Sequence, residues 1–204
     1  MKILALELST ARGSLAWLDG EVEEGHEWPN DRKNSSPFFE NLNAITKKFG
    51  GPETIIVGLG PGSYAGTRIA ISAAIGLRLS FSARLTGLPS ICAIQCDGHE
   101  YRAIGDARRR SFFFARIYGH QLVEGPMLFS QSDLQAKLES LEPGIPIFSS
   151  EPLPQFERAV IRYPSALVLA RLVRESHRSF FSPPLEPLYL REPHITIPKV
   201  KTEA

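Results

Sequence analysis

One segment in the middle of the chain constrains the fold most: an apolar run, a glycine-rich turn and a long helical pattern. The run at 54–57, TIIV, is short, rich in β-branched residues and uncharged, which is typical of a strand buried on both faces. Glycines in the turn at 58–62 allow backbone conformations that a Cβ atom would forbid. A helical pattern follows at 63–79, with Ser63 as its predicted N-cap.

The predicted helix at 63–79 is apolar or small nearly all round, because only Arg68 and Arg78 carry charge. A helix of this kind is buried on more than one face. We expect one face to pack on the preceding strand and another to admit the close approach of a second backbone, from the same chain or from a partner. The helix is therefore both a core element and a candidate interface. Its two stripes are Gly66, Ala70, Ala73 and Leu77, and Ala65, Ile69, Ser72 and Gly76.

The glycine-rich turn matches nucleotide-binding motifs only in part. A Walker A loop requires a lysine, and residues 58–68 contain none. The pattern GxGxxA at 60–65 matches the dinucleotide fingerprint, but the acidic residue expected later is missing, since no Asp or Glu lies between Glu53 and Asp97. A plain tight turn is the favoured interpretation, although the N-terminus of a helix can also hold an anion.

Strand and helix patterns along the chain predict two lobes, at 1–97 and 98–204, because the pattern changes around Asp97. In the first lobe the predicted strands are 3–8, 14–18, 21–28, 54–57 and 84–88, and the helices 37–49, 63–79 and 90–96. In the second, smaller lobe the strands are 101–104, 111–118, 121–129 and 145–148, the helices 130–141 and 166–176, and the proline-rich end at 182–204 is extended.

Composition sets limits on the class of protein. A net charge of +1 with 22% charged residues gives no global signature of nucleic-acid binding. No apolar stretch is long enough to span a bilayer, and the opening MKILALEL lacks the features of a signal peptide, so we expect a cytoplasmic protein without membrane contact. Cys92 and Cys96 are expected to be reduced thiols, and the scattered histidines give no metal-binding pattern.

Two polar groups are candidates for chemistry. Glu7 ends an apolar strand just before a Ser9-Thr10 turn, where a carboxylate can hold a metal or a water beside a phosphate; hydrogen bonding to the turn itself is the favoured interpretation. Three arginines at 108–110 follow Asp106 and can contact the phosphate of a nucleotide or of RNA. More often such a run is solvated, with one arginine paired to a carboxylate such as Asp106.

Four motifs in order resemble the TsaB family, also called YeaZ, and span nearly the whole chain. ILALELSTARGSLAWL at 3–18 resembles the family opening "ILAIDTST…SVAL", and the segment at 58–77 resembles its most specific motif, "GPGSFTGLRIG…A.GLA". GDAR at 105–108 resembles the family's "DAR" turn, and PLYLR at 187–191 resembles "PVYLR". The homologous TsaD lineage is excluded, since its metal-binding histidines have no counterpart.

The resemblance implies an actin-like, ribonuclease-H-like α/β fold of two lobes, each with a mixed sheet flanked by helices. It implies a non-catalytic subunit without cofactor that pairs with the catalytic subunit TsaD through first-lobe helices, joined by the ATPase TsaE. The complex makes threonylcarbamoyladenosine beside the anticodon of tRNAs that read codons beginning with A, and the free subunit is expected to form a homodimer. The implied partner-binding residues are Gly62, Ser63, Gly66, Arg68, Ile69, Ala70, Ala73, Gly76 and Leu77.

The chain departs from the family pattern at three places, and two other functions remain open. Glu7 stands where the family has Asp, Ser35-Ser36 where it has His-Ser, and Tyr64-Ala65 where it has Phe-Thr. One alternative is an actin-like nucleotide-binding phosphohydrolase, and the other is direct tRNA binding through the arginines at 108–110. The residues predicted as vestigial nucleotide or RNA contacts are Glu7, Ser9, Thr10, Asp106 and Arg108.

Overall fold

The computed structural model describes residues 1–31, 34–175 and 180–191, which contain two mixed five-stranded sheets. In the first sheet the order is β3-β2-β1-β4-β5, with an antiparallel meander from β1 to β3 and parallel pairing of β4 with β1 and β5. Its strands are β1 (Ile3–Glu7), β2 (Arg12–Asp19), β3 (Val22–Pro29), β4 (Thr54–Gly58) and β5 (Arg84–Leu88).

The second sheet repeats this topology in the order β10-β9-β6-β7-β8. An antiparallel meander from β6 to β8 is again followed by two parallel strands, of which β9 pairs with β6. Its strands are β6 (Glu100–Asp106), β7 (Ser111–Tyr118), β8 (Gln121–Ser130), β9 (Ile147–Ser149) and β10 (Ala159–Ile161). The predicted α/β class, with a mixed sheet flanked by helices in each half of the chain, is confirmed.

The helices are α1 (Ser36–Phe49), α2 (Tyr64–Phe81), α3 (Gln131–Glu139) and α4 (Ala166–Arg174). Three of the four described helices begin at a serine whose side chain caps them, whereas the N-cap residue of α1, Ser35, makes no side-chain cap hydrogen bond. Ser63 caps α2 as predicted, because its hydroxyl accepts a hydrogen bond from the Gly66 amide at 3.2 Å. Ser130 caps α3 and Ser165 caps α4 in the same way. No described helix has both the length and the apolar character needed to cross a membrane.

The first sheet is covered on both faces, which explains why β1 and β4 are apolar without alternation. Leu4 and Leu6 of β1 point to one face, where α1 and α2 pack. Ile3 and Ala5 point to the other, where α4 packs. Successive residues of a strand face opposite sides, so a single apolar strand contributes to two separate cores.

Helix α4 lies between the two sheets although it comes late in the chain. One core cluster joins α4 to the inner faces of both sheets, through residues such as Ala5 of β1 and Phe113 of β7. The outer face of the second sheet is covered by α3, with Leu134 and Leu138 buried there. The predicted boundary at residue 97 stays a prediction. The strands of the two sheets come before and after residue 97 in the chain, but α4, which follows the boundary, packs on the first sheet.

Some predicted elements differ from the structure. The helix predicted at 90–96 is only a 3-10 turn, Ser90–Ala93, because Ile94 is extended and forms a bridge with Pro164. Strand β10 was not predicted, since three residues are too short for a periodic pattern. The segment predicted as extended, 182–204, is described only as far as Arg191, and residues 182–191 form no helix. The rest of this prediction lies outside the described residues.

Two adjacent phenylalanines of α1 test the core beneath the first sheet. Phe38 is 1% exposed in this core, whereas Phe39 is 49% exposed and contacts the Phe38 ring edge-on. Phe38→Ala should lower the free energy of unfolding by about 3–5 kcal/mol, because it leaves a cavity. Phe39→Ala should cost only about 1 kcal/mol, from the lost ring contact. Urea denaturation of the two variants measures this, and equal losses would contradict the packing.

Candidate functional site

The inner face of α2 contacts its own chain closely. Its buried residues are Gly66, Thr67, Ala70, Ile71 and Ala74. A Cβ atom at Gly66 would collide with the carbonyl oxygen of Leu8, and one at Gly62 with that of Ser9. The glycines at the N-terminal end of α2 therefore allow close contact with the backbone of the same chain, at the loop after β1. Gly66, Ala70 and the cap Ser63 are buried within the chain, and the partner-binding role predicted for them stays a prediction.

The opposite side of α2 is open. We call this surface the outer α2 face, formed by Arg68, Ser72, Ile75, Gly76 and Leu79, all of which are exposed. Leu79 is the most prominent, with 78% of its surface accessible. Arg68 and Gly76 of the predicted partner-binding set belong to this face; Ile69, Ala73 and Leu77 are half-buried beside it.

A cleft opens at the N-terminal end of α2, where the two halves of the chain meet. It consists of two adjoining cavities, which we together call the central cleft. The first, of about 170 Å³, is lined by Ser9, Thr10 and Gly62 from one half and by Asp106 and Glu151 from the other. The second, of about 520 Å³, is lined by the start of α2, by residues 106–109 and by residues 187–191. Residues lining both are Gly62, Asp106, Glu151 and Leu190.

The hairpin between β6 and β7 gives the cleft its cationic side. Arg108, Arg109 and Arg110 all have positive φ, of 63°, 53° and 58°. The Asp106 carboxylate accepts hydrogen bonds from the Arg108 amide at 2.6 Å and from its guanidinium at 3.3 Å, so the pairing expected from the sequence is formed. The hairpin directs Arg108 and Arg109 to the second cavity, whereas Arg110 lines neither cavity of the central cleft.

Glu7 lies outside the central cleft, at the end of β1. Its Oε1 accepts a hydrogen bond from the Ser9 amide at 2.6 Å. This is the hydrogen bond between Glu7 and the following turn that the sequence favours. Its carboxyl group lies against Gly58 and Ser90, and among the described residues its Oε2 has no hydrogen-bond partner. Burial raises the pKa of Glu7, and the hydrogen bond from the Ser9 amide only partly opposes this effect.

The predicted contact residues are thus only partly brought together. Ser9, Thr10 and Asp106 line the first cavity, Asp106 and Arg108 line the second, and Glu7 lines neither. Within the described ranges no three His, Cys, Asp or Glu side chains are grouped so that they could hold a metal ion.

Sequence reasoning missed several residues of the central cleft. Glu151 and Tyr189 lie far from Asp106 along the chain, and only tertiary structure places them together. Glu151 accepts a hydrogen bond from the Asp106 amide at 2.8 Å, and no local pattern marks this contact. The family-like motif at 187–191 is the one sequence signal near these residues, and it does not indicate what the Tyr189 side chain does.

Replacing the buried carboxyl should change the pH dependence of stability. In the wild type, the folded chain holds a proton on Glu7 above the ordinary pKa of 4.5, so stability should fall as pH rises from that value toward the raised folded pKa. Glu7→Gln has no such proton and should show a flatter profile. Urea unfolding at several pH values from 5 to 8 measures this difference. Parallel profiles for the two proteins would contradict the assigned burial effect.

The architecture is similar to that of two solved structures. One is described as an uncharacterized protein with similarity to peptidase YeaZ from Pseudomonas aeruginosa; it has a TM-score of 0.71 at 19% identity, over 93% of this chain and 99% of that one. The other, YeaZ from Pseudomonas aeruginosa, has a TM-score of 0.68 at 17% identity, over 86% of this chain and 92% of that one. No family model and no curated protein matches the sequence significantly. The chain thus has a YeaZ-like fold.

Proposed function

We propose that this chain is a non-catalytic subunit that pairs with a TsaD-type protein and, joined by TsaE, supports threonylcarbamoylation of tRNA. The observation that carries the proposal is the outer α2 face, an exposed and partly apolar helix surface on a YeaZ-like fold. The sequence motifs that resemble the TsaB family support the same assignment.

The outer α2 face has the physical properties of a docking surface. Leu79 and Ile75 expose apolar side chains about one helical turn apart, and neighbouring exposed apolar side chains of this kind favour association. Nothing lies within 4 Å of the position that a Cβ atom of Gly76 would occupy, so another backbone can approach there. Phe39 of α1 adds a further exposed apolar side chain on the same side of the sheet.

The environment of Glu7 supports a non-catalytic role over the phosphohydrolase alternative. A carboxylate that activates water or holds a cation beside a phosphate must be ionised and must face the substrate. Glu7 instead is fully buried beneath the central cleft, and burial favours its neutral form.

The proposal has two further parts, the oligomeric state of the free chain and its location. An apolar helix face without its partner tends to associate with a second copy, so the free chain is expected to form a homodimer through the outer α2 face. We place the protein in the cytoplasm, where tRNA is available for modification.

A binding experiment with matched variants tests the proposal. The chain is mixed with the TsaD of the same organism, and molar mass is measured by light scattering alongside threonylcarbamoyl transfer in the presence of TsaE. Leu79→Arg should weaken the complex by about tenfold or more, because it places a charge in an apolar contact. Val123→Arg is the control, since Val123 is 51% exposed on β8 of the other sheet.

Both substitutions place one arginine at an exposed apolar position, one on α2 and the other on β8 of the second sheet. Ala73→Arg is less suitable, because Ala73 packs against the core and the variant would report on folding. If the wild type forms no complex and does not stimulate transfer, the proposed function is wrong. If Leu79→Arg and Val123→Arg weaken the complex equally, the outer α2 face is not the site of pairing.

A further inference from the structure

The turn between β6 and β7 carries three consecutive arginines that the proposed pairing with TsaD does not use. We call residues 106–111 the arginine hairpin; Arg108, Arg109 and Arg110 in it are all exposed. Arg108 forms an ion pair with Asp106, whereas among the described residues no carboxylate forms an ion pair with Arg109 or Arg110. Two guanidinium groups of the arginine hairpin can therefore bind an anion from solution.

The backbone of the arginine hairpin is not one that arginine favours. Residues 108–110 have φ values of 63°, 53° and 58°, in the left-handed region where a Cβ atom lies too close to the following carbonyl oxygen. Glycine adopts this conformation without strain, and asparagine or aspartate adopts it more readily than arginine does. The shape of the turn therefore gives no reason for three arginines, and strained residues of this kind cluster at functional sites.

Hydrogen bonds hold the turn in one conformation and occupy the two carboxylates beside it. The Ser111 amide donates to the Arg108 oxygen at 3.1 Å, and the Ala107 amide donates to the Ser111 oxygen at 2.9 Å. The Asp106 carboxylate accepts from the Arg108 amide at 2.6 Å, and Glu151 accepts from the Asp106 amide at 2.8 Å. Both acidic side chains thus fix the backbone of the turn, and the arginine side chains extend from a fixed base.

A third cavity, of about 520 Å³, adjoins the arginine hairpin, and we call it the hairpin cavity. Its lining comes only from the second half of the chain: Asp106, the three arginines, Phe112, and Glu151, Pro152, Leu153 and Gln155 of the turn after β9. Arg110 and Gln155 line neither cavity of the central cleft. The hairpin cavity is thus a separate surface, although Arg108 and Arg109 line both it and the central cleft.

The composition of the hairpin cavity favours a phosphate over a nucleic-acid base. A guanidinium group donates two parallel hydrogen bonds to phosphate oxygens, which makes arginine well suited to a phosphodiester backbone. Among the described residues, Phe112 is the one aromatic side chain of the cavity, and it is only 8% exposed, so a base has no open ring on which to stack. Contacts limited to phosphate position a nucleic acid but carry no sequence information.

We propose that the arginine hairpin binds the phosphate backbone of the tRNA that the complex modifies, with Arg109 and Arg110 on neighbouring phosphates. The choice of RNA rests on the proposed function, and the contact gives the subunit a positioning role beside its pairing role. The outer α2 face remains available to TsaD, because it belongs to the first half of the chain. Since the net charge is only +1, the attraction comes from this local cluster rather than from the whole surface.

Fluorescence anisotropy measures the affinity for tRNA, both for the full chain alone and for its mixture with the TsaD of the same organism. The probe is a labelled, unmodified tRNA that reads a codon beginning with A. Arg109→Gln and Arg110→Gln should each weaken binding by roughly tenfold. Each should also reduce the slope of log affinity against log salt by about one, because one phosphate contact is lost.

Arg162→Gln is the matched control. Arg162 is another exposed arginine of the second half, and it lines neither the hairpin cavity nor the central cleft. Its replacement removes the same charge as the two hairpin variants do. The affinity for tRNA and the salt slope should therefore stay close to those of the wild type.

A glycine variant separates binding from folding. Arg110→Gly should weaken tRNA binding as Arg110→Gln does, while its melting temperature stays equal to or above that of the wild type, because glycine adopts positive φ without strain. A lower melting temperature with unchanged affinity for tRNA would contradict the proposal, since the arginine would then serve the fold.

Three results overturn the proposal. They are equal losses of affinity for Arg109→Gln, Arg110→Gln and Arg162→Gln, an affinity that no variant changes, and competition by poly-glutamate as effective as that by unlabelled tRNA. The first indicates attraction to general positive charge, and the last indicates an acidic protein as the ligand. Light scattering of the same mixtures reports separately on the proposed function. A TsaD complex with unaltered tRNA binding by the hairpin variants rejects only the RNA contact, whereas weakened tRNA binding by these variants without any TsaD complex rejects only the pairing.

Discussion

The close contact between the start of α2 and the loop after β1 is the constraint on which the rest of the structure depends. Gly62 and Gly66 have no room for side chains against the carbonyl oxygens of Ser9 and Leu8, and the Ser63 amide donates to the Ser9 oxygen at 2.6 Å. The helix is thereby fixed over the first sheet at one end. This contact also places Ser9 at the floor of the central cleft and directs the outer α2 face toward solvent.

The two halves of the chain are coupled by apolar and polar contacts together. Helix α4 supplies apolar residues to a core shared by both sheets, and its first amide, that of Ala166, donates to the buried Ser14 hydroxyl of β2 at 2.9 Å. The segment after 180 adds two more connections: Leu188 donates to the Leu59 oxygen at 2.7 Å, and Arg191 donates to Ser111 of the second sheet. The central cleft is thus held between fixed walls.

Much of the fold could be predicted from the sequence because its signals are local. The run before the turn at 58–62 and the serine caps gave β4 and α2 nearly residue by residue. Cys92 and its neighbours form only a single 3-10 turn, because packing between the sheets overrides helical spacing over so short a segment. The central cleft was less predictable. Tyr189 and Glu151 reach Asp106 only through tertiary structure, and the burial of Glu7 depends on Gly58 of a neighbouring strand.

The position of α4 has a consequence for the order in which the chain can fold during synthesis. The inner face of the first sheet, with Ile3 and Ala5, is covered by a helix that ends only at Arg174. During translation, the strands of the first sheet emerge before the second sheet and α4 have been made. The inner face of the first sheet therefore stays exposed to water until α4 is available to cover it. Stable folding of the first sheet therefore waits until the chain has been made to about Arg174, and a shorter nascent chain exposes an apolar surface to chaperones and to other chains.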